Sequence, residues 1–311
     1  MDLTKHTSPL TGTSKIRLVK TFASKQLIHK YKEAYNINIE RFFTGCNEIQ
    51  LVECIETGYK FFVPNTLAGD SLFYEKLETF DWYYMPWKWE HQQTAEFILP
   101  EMKVLEIGSA KGDFIKKIEN DIGAKCVGLE LNNSAFEYTK SIGLEVYLET
   151  IQTFSIKNSE VFDIVCSFQV LEHVSEIYSF IESMIKCLKK GGKLIIGVPN
   201  NDSFLGLSEN LLNMPPHHMG LWNKKSLIAL EKIFPLKVVD CYFEPLQHYH
   251  LDYYNKVIND YKIAKMDENI LKYGFIGRIK NQILKKSFLK LLKKKHPQLE
   301  NYTILVEFEK L

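Results

Sequence analysis

From residue 103 to about residue 245, short apolar runs alternate with amphipathic stretches of helical period. The runs read "KVLEIG", "KCVGLEL", "LEVYLET", "FDIVCSF", "KLIIGVP" and "LKVVDCYF". Each is short, β-rich and bounded by polar turns. That rhythm predicts an α/β domain, a parallel sheet with crossover helices. A final run, "NYTILVEFEK", predicts one more strand at the end of the chain.

Upstream the period changes. In "TFASKQLIHKYKEAYN", Phe22, Leu27, Tyr31 and Tyr35 fall at roughly helical spacing with charges between them. "IQLVECIETGYKFFVP" predicts two short strands around a turn at Glu56, Thr57 and Gly58. "FDWYYMPWKWEHQQTAEFIL" packs seven aromatic side chains ahead of a helical stretch. Residues 246–300 are mainly helical in pattern. The chain therefore divides into an N-terminal accessory region (1–80), a main domain (81–245 with 301–311) and a helical insertion (246–300).

Composition narrows the picture only a little. The 311 residues are 45% apolar and 25% charged, as in an ordinary soluble globular protein. The net charge of +1 gives no global attraction to nucleic acid. Six scattered cysteines form no C-x-x-C pair, and several lie in apolar runs, which predicts free buried thiols and a reducing, cytoplasmic compartment. The start of the chain has no apolar core for a signal peptide.

The chemistry concentrates at "KVLEIGSAKGDFIKKI", where a strand runs into a turn and a helix. Gly108, Ser109, Ala110 and Gly112 are small, as close approach of a ligand to the backbone requires. The phosphate-loop pattern fails for want of its spacing and its Lys-Ser/Thr ending, and the dinucleotide G-x-G-x-x-G spacing fails too. What stands is E-x-G-x-x-x-G-x-F, with Glu106 ending the strand and Phe114 opening the helix. A carboxylate there repels a pyrophosphate and suits an ammonium or a sulfonium. Glu130, ending the next strand in "GLELN", stands where an acid accepts both hydroxyls of a ribose or simply caps a helix, and Leu131 follows it. Glu149 and Thr150, in "LETIQTF", are candidates for the exocyclic amine of an adenine.

Together "VLEIGSAKGDF", "GLELN", "FDIVCSFQVLEHV", "LKKGGKLIIGVPN" and "TILVEFEK" resemble a class I S-adenosylmethionine-dependent methyltransferase. The resemblance implies a Rossmann-like, seven-stranded, mostly parallel sheet with helices on both faces. It implies S-adenosyl-L-methionine as cofactor, its methionine part over Glu106, Gly108, Ser109 and Gly112 and its ribose at Glu130, with Phe114 and Leu131 also among the cofactor-binding residues. Phe168, Gln169 and Val170 would line the methionine and the methyl group. The chain is similar in particular to bacterial methyltransferases that accompany glycan and secondary-metabolite pathways, many of which begin with a zinc ribbon of two C-x-x-C-G knuckles. Here those places read "SPLTG" and "CIETG", so Ser8, Thr11 and Thr57 stand where thiolates are needed. A knuckle-like hairpin without metal is expected.

Three further segments carry candidates. In "WYYMPWKWEH", Trp89 or Tyr84 would lie near the sulfonium as part of a lid, or the run simply packs on the main domain. In "NMPPHHMGLWNKKSL", His217 and His218 are candidates for a general base toward a hydroxyl acceptor, with His173, His248 and His250 behind them. The stretch 278–295 has eight Lys/Arg and no acid, with Ile279, Ile283, Phe288 and Leu291 or Leu292 at helical spacing. It reads as a solvated basic face, or as a peripheral contact with a membrane or an acidic substrate. The expected reaction is O-methylation of a sugar or other small-molecule hydroxyl, possibly nucleotide- or lipid-linked, in glycan biosynthesis. The rivals are a non-catalytic cofactor-binding partner, and an N- or carboxyl methyltransferase.

Overall fold

A computed structural model describes residues 3–80, 83 and 85–311, with the backbone alone at 275 and 282–286. Its strands are β1 (Ile16–Ala23), β2 (Glu48–Cys54), β3 (Lys60–Val63), β4 (Lys103–Ile107), β5 (Lys125–Leu129), β6 (Val146–Tyr147), β7 (Phe162–Phe168), β8 (Leu188–Pro199), β9 (Gly220–Leu221), β10 (Leu236–Phe243) and β11 (Thr303–Lys310). Its helices are α1 (Ser24–Tyr35), α2 (Ser71–Leu77), α3 (Trp89–Ala95), α4 (Asp113–Ile122), α5 (Asn133–Ser141), α6 (Ile151–Phe154), α7 (Ile177–Cys187), α8 (Lys224–Ile228) and α9 (Leu251–Lys295).

Seven strands form one sheet in the order β10-β11-β8-β7-β4-β5-β6. The pairs β4/β5, β4/β7, β5/β6 and β7/β8 are parallel, while β11 runs antiparallel to both β8 and β10. This is the Rossmann-like sheet expected from the alternating runs. The strands bury both faces, because successive side chains point to opposite sides. Leu105, Ile107, Val165, Ile196 and Val306 belong to one core. Val104, Ile164, Cys166, Ile195 and Leu305 belong to the other. Glu106 takes the second face by the same alternation and is buried at the end of β4.

A second, antiparallel sheet has the order β1-β2-β3-β9. Its β2–β3 hairpin falls at the predicted turn. Leu27 and Tyr31 are buried on α1 as the helical spacing required, but Phe22 belongs to β1, since the strand's pairing with β2 runs through Ala23. The fourth strand, β9, comes from the segment between β8 and β10, with Phe61 opposite Gly220. The accessory sheet is thus completed from within the main domain. Phe62 N–H donates to Met219 O at 3.0 Å, and Met219 N–H donates to Glu172 O at 2.8 Å, so the same segment also touches the end of β7.

The two glycine-ended turns at 8–12 and 54–58 have the same shape. Gly12 N–H donates to Ser8 O at 2.7 Å, and Gly58 N–H donates to Cys54 O at 2.8 Å. Thr11 Oγ1 lies 3.8 Å from Cys54 Sγ. Burial would raise the Cys54 pKa, but hydrogen bonds from Thr57, Ser8 and Thr11 leave it lowered. Cys54 thus sits as one thiol among the three neutral hydroxyls of Ser8, Thr11 and Thr57. That donor set does not match the thiolate and imidazole sites zinc selects.

In the insertion, Phe288 and Leu292 are buried, whereas Ile279 and Leu291 are exposed; the Ile283 side chain lies outside the described residues. Among the described residues no helix is long and apolar enough to cross a membrane.

Trp222, just after β9, is fully buried with its ring 4.2 Å from that of Tyr59. Asn201 donates to its carbonyl through N–H at 2.9 Å and through Nδ2 at 3.2 Å. Truncating it opens a cavity where the two sheets are joined. Trp222→Ala is expected to cost about 3–5 kcal/mol of stability, measured as a lower midpoint in urea unfolding.

Candidate active site

The β4–α4 turn is drawn tight by the end of β5. Gly108 N–H donates to Leu129 O at 2.8 Å, and Ser109 N–H donates to the same carbonyl at 3.1 Å. Ala110 N–H donates to Glu130 Oε2 at 2.8 Å, and Gly112 N–H donates to Ser109 O at 2.8 Å. A phosphate-binding turn works by presenting free N–H groups to the anion. Here four of them are already spent. The failed phosphate motifs therefore have a structural counterpart.

Two residues of this turn must be glycine. Gly108 has φ +76°, and a Cβ there would lie 2.5 Å from Val170 Cγ2. Gly112 has φ +75°, with Leu144 Cδ1 at 2.4 Å from the same imagined atom. Ser109 is buried and packs against Gly128, where a Cβ would come within 2.6 Å of its Oγ.

Beneath the turn lies Glu106, whose Oε2 is buried with no hydrogen-bond partner among the described residues. Burial pushes its pKa up to about 8; Glu130 and Asp113 push it the same way, and Lys88 pulls it down. Glu130 is more fully committed. Besides Ala110, its carboxylate accepts from Leu131 N–H at 2.8 Å and from Asn132 N–H at 2.6 Å. Burial raises its pKa, and the three backbone donors oppose that rise. The helix cap of α5 is Asn132 instead, whose Oδ1 accepts from Ala135 N–H at 3.0 Å.

An orphaned, desolvated carboxylate beneath a turn whose N–H groups at 108, 109, 110 and 112 are already bonded fits a cationic nucleoside such as S-adenosylmethionine. Glu106, Gly108, Ser109, Gly112 and Glu130 are brought together as the sequence implied. Other expected contacts fall elsewhere. Phe114 and Phe168 are buried in the core, their rings 5.2 Å apart, because α4 packs its apolar face on the sheet. Trp89 is partly buried against the same cluster, and Trp87 stacks on Phe114 at 6.1 Å. Tyr84 lies outside the described residues. Leu131, Glu149 and Thr150 are exposed, and Thr150 Oγ1 accepts from Thr153 N–H at 3.3 Å as the cap of α6. Gln169 holds φ +56° and donates from Nε2 to Glu90 Oε1 at 3.2 Å.

Two adjacent histidines in a Pro-rich segment are expected to lie in an exposed loop. The structure corrects this: His217 and His218 are both buried, each 6% exposed. They pack against His173, with ring centroids 4.6 and 4.9 Å from it. Each Nδ1 faces an oxygen that can only accept: His173 meets His217 O at 2.6 Å, His217 meets Leu212 O at 2.8 Å, and His218 meets Asn213 Oδ1 at 3.0 Å. Nδ1 therefore carries the proton and Nε2 the lone pair. Burial lowers all three pKa values, to about 4 for His173 and well below the usual range for the other two. One ring nitrogen from each lies within 4.8 Å of the others, a spacing near that of a metal site. The rings of His217 and His218 are nearly parallel, at 17°, so their in-plane lone pairs do not converge on one point. His217 Nε2 is moreover taken by Tyr83 OH at 3.0 Å.

Three site residues escape sequence reasoning: Lys88, Glu90 and Glu172. Glu90 and Glu172 are each 2% exposed, and burial pushes Glu172 up to about 8. Lys88 acts electrostatically on both Glu106 and Glu172. Nothing in local spacing marks these as buried; Glu172 sits in a quoted motif, but its burial follows from the segment that covers it.

Comparison with known proteins agrees with this geometry. The methyltransferase domain family model matches residues 83–240, just over half of the chain. The chain belongs to that family. It is a class I methyltransferase, with S-adenosylmethionine as cofactor. An uncharacterized protein of Methanocaldococcus jannaschii is 32% identical over 108 residues, covering 35% of this chain and 50% of that protein. A ubiquinone biosynthesis O-methyltransferase of Salmonella newport is 25% identical over 173 residues, covering 52% of this chain and 69% of that protein. A SAM dependent methyltransferase from Archaeoglobus fulgidus has a similar fold, with TM-score 0.50 at 16% identity over 70% of this chain and 90% of that one.

The sign of the Glu106 effect is testable. With its folded pKa near 8 and an ordinary value of 4.5, Glu106 favours the folded chain at low pH, and that contribution is lost as pH rises through 8. Glu106→Gln is therefore expected to flatten the fall in melting temperature of the cofactor-free protein between about pH 5 and about pH 9. The same variant should weaken S-adenosylmethionine binding at least about tenfold by calorimetry.

Proposed function

We propose that the chain methylates a hydroxyl oxygen of a small-molecule acceptor, a sugar or similar polyol, either free or carried on a nucleotide or lipid. The observation that carries this reading is the histidine cluster. An amine or carboxylate acceptor can attack without giving up a proton to the protein first, whereas a hydroxyl needs a base. His218 offers one: it is neutral at pH 7, its Nδ1 proton is held by Asn213, and its Nε2 has no hydrogen bond among the described residues. His217 is less suited, since both ring nitrogens are already bonded. It orients the cluster.

When bound, the cofactor supplies an electrophilic methyl group on a sulfonium. The chain's own part is alignment and proton transfer. Gly108 and Val170 set the width of the turn, and Gln169, held by Glu90, continues it toward the histidines. Glu106 offers its orphaned oxygen to positive charge. His218 Nε2 would take the hydroxyl proton as the oxygen bonds to the methyl carbon and that carbon's bond to sulfur breaks, the neutral thioether being the leaving group. Alignment of two reactants accounts for the larger share of the rate. The O-methyltransferase relationship at 25% identity supports oxygen as the acceptor atom.

The test is formation of S-adenosylhomocysteine with panels of hydroxyl, amine and carboxylate acceptors. Turnover is expected with a hydroxyl compound. His218→Gln should lower it by about 10²–10⁴ while leaving cofactor affinity unchanged. Turnover confined to amines, or a His218→Gln enzyme within about tenfold of wild type, would sink the reading.

A further inference from the structure

Helix α9 is not one rod. Gly274 adopts φ +53° and ψ −122°, which breaks the helical path. The limbs on either side fold back on each other. Asn281 Nδ2 donates to Met266 O at 2.9 Å, and Asn269 Nδ2 donates to Asn281 Oδ1 at 2.9 Å. Nearer the base the rings of Tyr261 and Phe288 are 6.3 Å apart. The base is anchored to the domain, because Phe288, Leu292, Val257 and Ile258 share a buried cluster with Phe204 and Leu205.

The tip has no such cover. Leu271 is 88% exposed and Ile276 61% exposed, with Ile270, Tyr273 and Ile279 exposed beside them. Single exposed apolar residues need no explanation, but a group of five around one helical reversal does. The charge is equally uneven. Residues 269–299 hold nine Lys/Arg and no Asp or Glu, in a chain whose net charge is +1, so the remainder carries −8. Lys293 pairs with Glu300. Among the described residues Lys272, Arg278, Lys280 and Lys290 have no ion pair, and Lys280 Nζ rests 3.6 Å from the Tyr273 ring.

We infer that this hairpin docks the protein on an anionic lipid bilayer, with the tip in the headgroup–acyl boundary and the basic limb over the lipid phosphates. Both halves of the chemistry are required. Lysines alone would suit any polyanion, and apolar side chains alone would suit any apolar surface. An anionic membrane surface offers negative charge and an apolar layer within one helix diameter. A second copy of the chain is disfavoured as occupant, since two such limbs would bring like charges together. Docking of this kind would hold the enzyme beside lipid-linked acceptors, while the hairpin itself is independent of which acceptor atom is methylated.

The experiment is co-sedimentation of the full chain with phosphatidylcholine vesicles, with and without phosphatidylglycerol. Binding is expected to rise at least about fivefold with the anionic lipid and to fall with added salt. The double variant Leu271→Asp/Ile276→Asp should lose most of that binding while keeping its melting temperature and cofactor affinity, since both side chains are exposed. Three results would overturn the inference: no binding to anionic vesicles, equal binding by the double variant, or a dimer in sedimentation velocity that the double variant abolishes.

Discussion

The structure depends on how the end of β5 closes the turn that follows β4. Leu129 O and the Glu130 carboxylate take the N–H groups of residues 108, 109 and 110. Those bonds accompany left-handed conformations at Gly108, Ala110 and Gly112 and withdraw the N–H groups of 108, 109 and 110 from any anion. They also bring two carboxylates, Glu106 and Glu130, into one small volume. A site built this way is short of positive charge, which fits a cationic ligand.

Burial then governs the chemistry of the rest. Glu106 and Glu172 are held near pKa 8, and the three histidines are held neutral, for the same reason: charge is costly away from water. Lys88 is placed to act on both acids. The site is thus a set of groups waiting in neutral or half-compensated form. The histidines' Nδ1 bonds to backbone and amide oxygens fix which ring nitrogen carries the proton.

The accessory sheet contributes by position. Its strand β9 comes from the segment after β8, and that segment carries His217 and His218 immediately before it. Pairing β9 with β3 therefore presses the histidines under α2 and Tyr83 and against His173. Trp222, stacked on Tyr59, locks the same junction. Through β9 the small sheet fixes where the histidine cluster sits.

The local pattern of the chain determined the main sheet, the position of the β4–α4 turn and the place of Glu106, Gly108, Gly112 and Glu130 in and around it. These follow from short-range rules, namely strand alternation, turn sterics and the acid that ends a strand. Only the tertiary structure decided that Phe114 and Phe168 are core, that Glu130 braces the turn through three N–H groups, and that Lys88, Glu90 and Glu172 belong to the site. The burial of the histidines came from β9 joining a sheet more than 150 residues upstream in the chain. The reversal at Gly274 likewise shows only when two limbs of one helical pattern meet. Contacts between distant segments depend on which surfaces end up opposed, and no local periodicity encodes that.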